Sequence, residues 1–351
     1  MSRVADQLTS LWPALAFLLV GVPLAALLDH LGFFEAVATI MTARGRESSV
    51  LALWLLAAVT TVLLNLDTTI VLLTPLYFRI ARRVRVDPIG LVVIPLLLAS
   101  LASSVLPVSN LTTLIVSERF HLGIGTVLAH LGLPSLAAIS VGWLFYRRRY
   151  ATRLPSVPPT RPDARALTAG GSIVAFLLLG FVVGPAFGVT PWMTATAADL
   201  ALIVLTRTVP WRAVPVMTAA AVAVVAVLLA LVVPATALRG LLASDEPASV
   251  AGITLVGAGV ANVVNNLPTV LLMPGRVHGM TWGGWAWLLG ANVGSVLLPI
   301  GALANLLWRR LMRAEGVDVG VARYARLTFP IALPALIAAA IALGVERAVL
   351  G

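Results

Sequence analysis

Ten long apolar runs make up most of this sequence, and they constrain its fold more than any other feature. The runs span residues 11–28, 50–78, 88–117, 122–146, 167–188, 191–206, 213–236, 249–274, 282–308 and 327–349. About 20 apolar residues form a helix long enough to cross the hydrocarbon core of a bilayer. Only 11% of the residues are charged, whereas an average soluble domain carries about a quarter. The sequence therefore predicts an all-α polytopic membrane protein.

The charged residues, and the residue types that are missing, exclude several functions. The 24 basic residues are all arginine, and most lie in short clusters between the apolar runs, as in cytoplasmic loops under the positive-inside rule. The net charge of +10 therefore indicates a lipid bilayer as partner and no nucleic acid. With no cysteine, and four histidines without paired spacing, we expect neither a metal site nor a cofactor. The apolar runs and the arginine clusters predict a multi-pass protein of the bacterial inner membrane. Since no HExxH or GxSxG motif occurs, we predict that it is not an enzyme.

Four of the apolar runs are unusually long, and polar or helix-breaking residues interrupt each one. The interruptions read Asn65-Leu-Asp67-Thr-Thr69, Pro107-Val-Ser109-Asn110, Asn265-Asn-Leu-Pro268-Thr269 and Pro299-Ile-Gly301. Because lipid cannot hydrogen-bond a freed backbone group, broken helices at membrane depth survive only where they line protein or a wet cavity. Paired interruptions in two halves of a chain indicate the midplane site of a transporter.

The interruptions also resemble one another across the two halves of the chain. Residues 65–73, NLDTTIVLL, align with 265–273, NNLPTVLLM, at an offset of 200 residues. Residues 99–107, ASLASSVLP, align with 291–299, ANVGSVLLP, at an offset of 192. Two matches in the same order and at nearly the same offset predict an internal repeat.

The arginine clusters give this repeat an orientation. With most arginines inside, runs 50–78 and 249–274 become re-entrant helical hairpins on opposite faces, and 88–117 and 282–308 become broken transmembrane helices. We predict eight full spans, two of them broken, plus the two hairpins, with both termini outside. The predicted domains are a first inverted repeat at 1–150, a cytoplasmic Pro/Arg linker at 151–165 and a second inverted repeat at 166–351. Trp282, Trp285 and Trp287 are expected in the outer aromatic belt, and Trp308 in the inner one.

Four stretches of the sequence resemble segments of a known family. They are Leu27-Leu-Asp29 with Gly32-Phe-Phe-Glu35, Asp67 eight residues before Pro75, Ser109-Asn110-Leu111 with Ile115-Val-Ser117, and Asn265-Asn-Leu-Pro-Thr-Val-Leu271 with Pro299-Ile-Gly-Ala-Leu-Ala-Asn-Leu-Leu-Trp308. Taken in order, they resemble the arsenite/antimonite efflux permeases, or arsenical pump membrane proteins, of the ion-transporter superfamily. The chain differs in a shorter N-terminal repeat, in Leu66 where the family has asparagine, and in an uncharged stretch at 294–298.

The resemblance implies a secondary active transporter that exports arsenite or antimonite and is coupled to protons. It also implies a soluble arsenite-stimulated ATPase as a docking partner on the cytoplasmic face. The alternatives on the same fold are a sodium-coupled anion carrier of the di- or tricarboxylate type and a sodium/proton antiporter. The residues alone therefore leave open whether the substrate is a small inorganic oxyacid or an anion, whether the coupling ion is H+ or Na+, and whether the protein is a homodimer.

The predicted substrate and ion site consists of the polar residues at the four interruptions. They are Asn65, Asp67, Thr68, Thr69, Ser109, Asn110, Thr112, Asn265, Asn266, Thr269, Gly301 and Asn305. A carboxylate at membrane depth costs several kcal/mol and faces the protein interior. We therefore favour Asp67 as the proton-coupling residue, with a capping role at the half-helix as the alternative. The neutral side chains can instead join helices to one another by hydrogen bonds.

A second acid, Asp199, lies in an apolar run that has no interruption. We favour a structural ion pair with Arg207 or Arg212 for this residue. The alternative is a second proton-relay group.

Overall fold

The computed structural model describes residues 2–42, 48–150, 154–155, 161–232, 238–273 and 280–350. These residues form α-helices and short 3-10 turns, and no strand occurs among them. The helices of the first half are α1 (Ser2–His30), α2 (Phe33–Thr42), α3 (Ser48–Leu64), α4 (Leu66–Val84), α5 (Pro88–Leu101), α6 (Leu111–Phe120) and α7 (Ile124–Arg149). Those of the second half are α8 (Ala164–Val183), α9 (Pro191–Thr206), α10 (Val216–Val232), α11 (Arg239–Leu242), α12 (Pro247–Val264), α13 (Asn266–Leu271), α14 (Trp282–Val293), α15 (Leu303–Ala314) and α16 (Val321–Leu350).

Long apolar helices confirm the predicted multi-pass membrane protein. Six helices in the described part of the chain are long and apolar enough to cross a bilayer. They lie at Leu11–His30, Ile124–Arg149, Ala164–Phe187, Trp211–Leu229, Pro247–Val264 and Val321–Val349. The apolar runs at 50–78, 88–117 and 282–308 form shorter helices because the interruptions divide them, and the uninterrupted run at 191–206 forms α9, which has 16 residues.

The interruptions lie where the sequence predicts them. A single residue, Asn65, separates α3 from α4, and Asn265 separates α12 from α13 in the same way. The other two breaks are longer loops, at 102–110 between α5 and α6 and at 294–302 between α14 and α15. Both loops begin five residues before the proline at which the sequence places the break, so Pro107 and Pro299 lie inside irregular backbone.

The order of elements in the first half recurs in the second. A helix pair joined by one asparagine is followed by a helix–loop–helix segment and a long apolar helix, as α3 to α7 and again as α12 to α16. Packing between the two sets comes in exchanged pairs: α4 contacts α15 as α13 contacts α6, and α5 contacts α16 as α14 contacts α7. Contacts in which equivalent helices of the two halves swap roles are expected when two repeats are related by a two-fold axis. The inversion of the repeats and the domain limits stay predictions.

The core lies along α5 and α14. Every residue from Leu91 to Leu101 and from Gly283 to Val293 is buried. Gly290 allows the close approach of α14 to α12, because a methyl group at this position would overlap the carbonyl oxygen of Thr254. Small residues have this role in membrane helix packing, where close backbone contact stabilises helix association.

The aromatic-belt prediction is wrong for three tryptophans. Trp285, Trp287 and Trp308 are at most 2% exposed, so their rings lie inside the helix bundle and do not face lipid headgroups. The indole N–H groups of Trp287 and Trp308 donate to the backbone carbonyls of Thr269 and Val92, both at 2.8 Å. The sequence shows the tryptophans near the ends of apolar runs, but it does not show which helix face they occupy.

The linker provides a direct test of the predicted orientation. Pro155 is exposed, and the chain contains no cysteine. A Pro155→Cys variant should be labelled by an impermeant maleimide in inverted vesicles, which expose the cytoplasmic face, and not in intact cells. The matched variant Asp245→Cys, also exposed, should be labelled only from outside intact cells. Labelling of position 155 from outside would reverse the predicted topology.

Candidate functional site

The first hairpin turns on Asn65, whose backbone adopts a φ of 115°. Its side-chain oxygen accepts a hydrogen bond from the Thr68 backbone N–H at 2.9 Å and so caps the start of α4. Its backbone oxygen accepts from both the N–H and the hydroxyl of Thr69. Asparagine tolerates positive φ better than other residues with side chains, and it is also a strong N-cap. The turn therefore depends on this residue type.

The second hairpin repeats this geometry 200 residues later. Asn265 has a φ of 82°, and its backbone oxygen accepts from the N–H and the hydroxyl of Thr269. Its side-chain oxygen accepts from the N–H of Leu267 at 3.3 Å. The repeated hydrogen bonds support the alignment of 65–73 with 265–273 at the level of individual atoms.

The loops of the two broken helices also match at the atomic level. The Ser103 hydroxyl donates to the backbone oxygen of Ser100 at 2.9 Å. At the offset of 192 residues, the Ser295 hydroxyl donates to the backbone oxygen of Asn292 at 2.8 Å. Each serine hydroxyl thus donates to a backbone carbonyl near the end of the helix, where carbonyl groups lack helical hydrogen-bond partners.

Each hairpin tip rests on the broken helix of its own half. In the first half, the hydroxyl of Ser109 donates to the backbone oxygen of Val62 at 2.9 Å. In the second, the Asn266 N–H donates to the Gly301 oxygen at 2.8 Å and the Asn265 amide donates to the Ile300 oxygen at 2.9 Å. A side chain at Gly301 would overlap the Ser295 carbonyl oxygen of the same loop and crowd the side-chain oxygen of Asn262 in α12. We therefore assign this glycine to the tight folding of the loop against α12.

Asn292 joins the two halves, and the sequence analysis missed it. This fully buried residue accepts a hydrogen bond from the Thr112 hydroxyl and donates to the hydroxyls of Ser104 and Thr113. The sequence does carry a signal, because Asn292 lies inside the aligned segment 291–299 and is the first polar amide in the run at 282–308. Thr112, a predicted ligand, is engaged in this junction.

A second residue that sequence reasoning missed is Asn262, one turn before the second hairpin tip. Its amide donates to the backbone oxygens of Ala258 and Gly294, both at 2.8 Å. Its oxygen accepts from the N–H of Leu298 at 2.7 Å. Asn262 therefore holds the loop at 294–302 against α12, and no unpaired atom of its side chain remains to bind a ligand.

Four helices begin at the breaks, and the three longer ones, α4, α6 and α15, present their positive ends there. Helices α4 and α15 pack side by side and run in the same direction, because Arg82 near the end of α4 forms an ion pair with Glu315 just after α15 at 2.7 Å. Helix α6 begins just after Asn110, whose side-chain oxygen caps it by accepting from the N–H of Thr112. A helix N-terminus carries roughly half a positive charge. The breaks can therefore attract anions or the oxygen atoms of a hydroxylated substrate.

Two buried polar atoms at the breaks have no partner among the described residues. They are the hydroxyl of Thr68 in α4 and the side-chain oxygen of Asn305 in α15. The orientation of the Asn305 amide is fixed, because its nitrogen donates to the carbonyl oxygens of Ser295 and Leu298 at 2.8 and 3.1 Å. Its oxygen is therefore an acceptor that lacks a donor, and buried groups of this kind need an explanation.

Asp67 lies in the first turn of α4 and is half-buried. Its carboxylate has neither a hydrogen-bond donor nor a cationic partner within the described part of the chain. The capping alternative is wrong in its simple form, since the cap of α4 is Asn65. The carboxylate is therefore available for a proton, a cation or a substrate.

The predicted site residues are thus divided between two roles. Asn65, Thr69, Ser109, Asn110, Asn265, Asn266, Thr269 and Gly301 build the turns and caps, and Thr112 joins the halves. Asp67, Thr68 and Asn305 carry side-chain atoms that have no partner among the described residues. The role of each as a ligand stays a prediction.

Comparison with known proteins gives one family match and several relatives. A family model described as citrate transporter matches residues 7–289. The arsenical pump membrane protein of Yersinia enterocolitica is 26% identical over 96% of this chain and 87% of its own length. That of Escherichia coli K12 is 25% identical over 93% of this chain and 84% of its own length. An uncharacterised transporter of Mycobacterium tuberculosis H37Rv is 22% identical, with coverages of 97% and 87%.

Proposed function

Because the chain belongs to the citrate transporter family, we propose that it is a secondary active transporter that exports arsenite or antimonite in exchange for protons. Relatives named arsenical pump membrane protein match nearly the whole chain, which supports this choice within the family. The docking of a soluble arsenite-stimulated ATPase and the formation of a homodimer stay predictions.

The observation that carries the proposed substrate is the unpaired oxygen of Asn305. Arsenite at neutral pH is an uncharged trihydroxide, so its hydroxyls can donate to this acceptor and also accept from the hydroxyl of Thr68. A fully ionised carboxylate has no proton to donate and would leave the Asn305 oxygen unpaired, at a cost of about 1–3 kcal/mol. With no cysteine in the chain, hydrogen bonding replaces the soft thiolate ligands that arsenic would otherwise prefer.

The proposed cycle couples this substrate to the carboxylate of Asp67. The trihydroxide enters the site at the breaks from the cytoplasmic side and forms hydrogen bonds to Asn305 and Thr68. A proton from the outer face binds the Asp67 carboxylate in the opposite half of the cycle and is released inside. The carboxylate alternates between two protonation states, and the substrate forms no covalent bond.

A different observation favours a second candidate, a sodium-coupled carrier of carboxylate anions. The N-termini of α4, α6 and α15 all lie at the breaks, and such positive ends attract anions. Uptake into proteoliposomes distinguishes the two candidates. Pump-type export predicts arsenite movement driven by an imposed pH gradient without sodium, and carboxylate transport predicts citrate or succinate movement driven by a sodium gradient.

Thr68→Val tests whether the unpaired hydroxyl binds substrate. Valine has nearly the same shape, so removal of a hydroxyl without a protein partner should leave the thermal stability unchanged or slightly higher. One lost substrate hydrogen bond, worth about 0.5–1.5 kcal/mol, should raise the KM for arsenite roughly two- to tenfold. The measurements are the melting temperature in detergent and the concentration dependence of transport.

Thr69→Val is the matched control, one residue away. The Thr69 hydroxyl donates to Asn65 and also contacts the Thr61 hydroxyl at 2.9 Å. Its loss should therefore lower the melting temperature. If Thr68→Val behaves like this control and leaves KM unchanged, the Thr68 hydroxyl has a structural role.

A further inference from the structure

Asp199 is a buried acid that the proposed cycle does not use. It lies near the middle of α9 and is 8% exposed, and its Oδ1 atom has no hydrogen-bond partner among the described residues. The predicted ion pair with Arg207 or Arg212 is wrong, because no charged group of the described chain acts on this carboxylate. Arg207 caps the end of α9, eight residues away. A lone charge in such a place is costly, so the acid needs a proton or a cation.

Contacts along α1 fix the depth of Asp199. Helix α9 packs against α1, and the Thr208 hydroxyl contacts His30 at 3.2 Å at one end of the pair. Asp199 precedes Thr208 by nine residues, and Gly21 precedes His30 by nine. At 1.5 Å per helical residue, Gly21 lies about 13 Å from His30, and Asp199 lies about 10 Å from Thr206 at the end of α9, two residues before Thr208. Asp199 and Gly21 are therefore at nearly the same depth.

A second set of contacts gives the same depth. Phe181 of α8 packs edge-on against Phe17 of α1 at 6.0 Å, and the adjacent Gly180 touches Thr194 of α9. Gly21 is four residues after Phe17, and Asp199 is five residues after Thr194. The two anchors agree to within about one residue.

Gly21 is also the point where α1 meets the first hairpin tip. A methyl group at this glycine would lie 3.6 Å from the side-chain nitrogen of Asn65. Helix α1 therefore touches the tip at Asn65 at the depth where it faces α9 and Asp199. Asp67 beside the tip and Asp199 on α9, two acids without a charged partner among the described residues, lie at similar depth with α1 packed against both of their helices.

The helices packed against α9 supply no competing charge at this depth. The ionisable residues of α1 are Arg3, Asp6, Asp29 and His30, near its two ends, and the one of α8 is Arg165, near its start. The middle segments of both helices are apolar. A proton that binds at this depth on α9 therefore has Asp199 as its acceptor.

We propose that Asp199 is a second proton-carrying group of the transport cycle, set beside the Asp67 hairpin with α1 between them. This inference rests on the proposed proton coupling of export. In the proposed step, the Asp199 carboxylate takes one proton from water on the outer face and later releases it to water on the inner face. No other bond forms or breaks, and the cycle moves one proton more than Asp67 alone would carry.

Asp199→Asn in proteoliposomes tests the proposal through stoichiometry. The full-length chain is reconstituted with a trapped pH dye, and the ratio of protons to arsenite is measured together with arsenite flux. We expect the variant to move one proton fewer per arsenite than wild type. Asp29→Asn, which removes an exposed carboxylate from the end of α1, should keep the wild-type ratio. An unchanged ratio in Asp199→Asn would overturn the proposal.

Two further measurements keep the test independent of folding and of the substrate. Asp199→Glu retains a carboxyl group and should keep the wild-type ratio of protons to arsenite. It replaces the asparagine variant as the test if that variant misfolds. Infrared spectra of the wild type should show a protonated carboxyl band that changes with pH and is lost in Asp199→Asn. A wild type that moves no arsenite would refute the proposed function alone, whereas the absence of a titrating band assigned to Asp199 would refute this inference alone.

Discussion

Replacement of Asp67 by asparagine is expected to abolish uphill export while exchange of arsenite down its own gradient continues. Asparagine has nearly the shape of aspartate and can still hydrogen-bond, but it cannot bind and release a proton. Because Asn65 and not Asp67 caps α4, the fold should remain intact. Proteoliposomes with an imposed pH gradient should show arsenite movement at the level of protein-free vesicles, and counterflow exchange should remain close to the wild-type rate.

The competing explanation is that Asp67 merely stabilises the positive end of α4. A first-turn acid contributes about 0.3–1 kcal/mol in this way, so the variant would be slightly less stable and would still pump. Asp87→Asn is the matched control, since Asp87 caps α5 through the Ile89 N–H at 3.0 Å and asparagine caps equally well. Near-normal pumping by Asp67→Asn would exclude the proton carrier. Loss of exchange as well would assign Asp67 to direct binding of substrate or sodium.

Asn292→Ala is expected to destabilise the protein by about 2–4 kcal/mol. The substitution removes two donated hydrogen bonds and one accepted bond, and it leaves the hydroxyls of Ser104, Thr112 and Thr113 without these contacts. Hydrogen bonds between membrane helices average about 0.6 kcal/mol, and the cavity and the newly unpaired groups add to their loss. Thermal or denaturant unfolding in detergent measures the effect.

Ser100→Ala is the control for this prediction, because Ser100 occupies the equivalent place in the first half. Its hydroxyl makes one contact across the halves, to the Ser295 hydroxyl at 3.2 Å. Its loss should cost less than about 1 kcal/mol. If both variants are equally stable, the junction between the halves does not depend on Asn292.

The sequence predicts the helical fold because its strongest signals are local. Run length fixes the membrane class, and the single asparagines at 65 and 265 fix the sharp turns, since few other residues both accept positive φ and cap a helix. The repeated motifs identify the breaks. The residues that turn and cap the chain at a break can therefore be recognised from the sequence alone, without knowing which residues they contact in the fold.

The parts that the sequence does not predict depend on contacts between distant residues. Asn292 becomes important through threonines about 180 residues away. Trp285 and Trp287 face the interior because α14 is buried on all sides, and Trp308 does so because it lies on the buried face of α15. Position near the end of a run reveals neither. Likewise, the unpaired oxygen of Asn305 follows from the two carbonyls that hold its nitrogen. Only the folded chain shows which atoms remain free.

The junction at Asn292 also has a consequence for the order of events during synthesis. Thr112 is separated by 180 residues from Asn292, its partner. At about 5–20 residues per second, a ribosome needs roughly 10 to 40 seconds to make the intervening chain. During that interval the hydroxyls of Ser104, Thr112 and Thr113 in the nascent first half lie in the membrane without the Asn292 amide as partner. The insertion machinery or a resident chaperone is thus expected to hold this half until the second half arrives, and a ribosome stalled before residue 292 should leave it sensitive to membrane proteases.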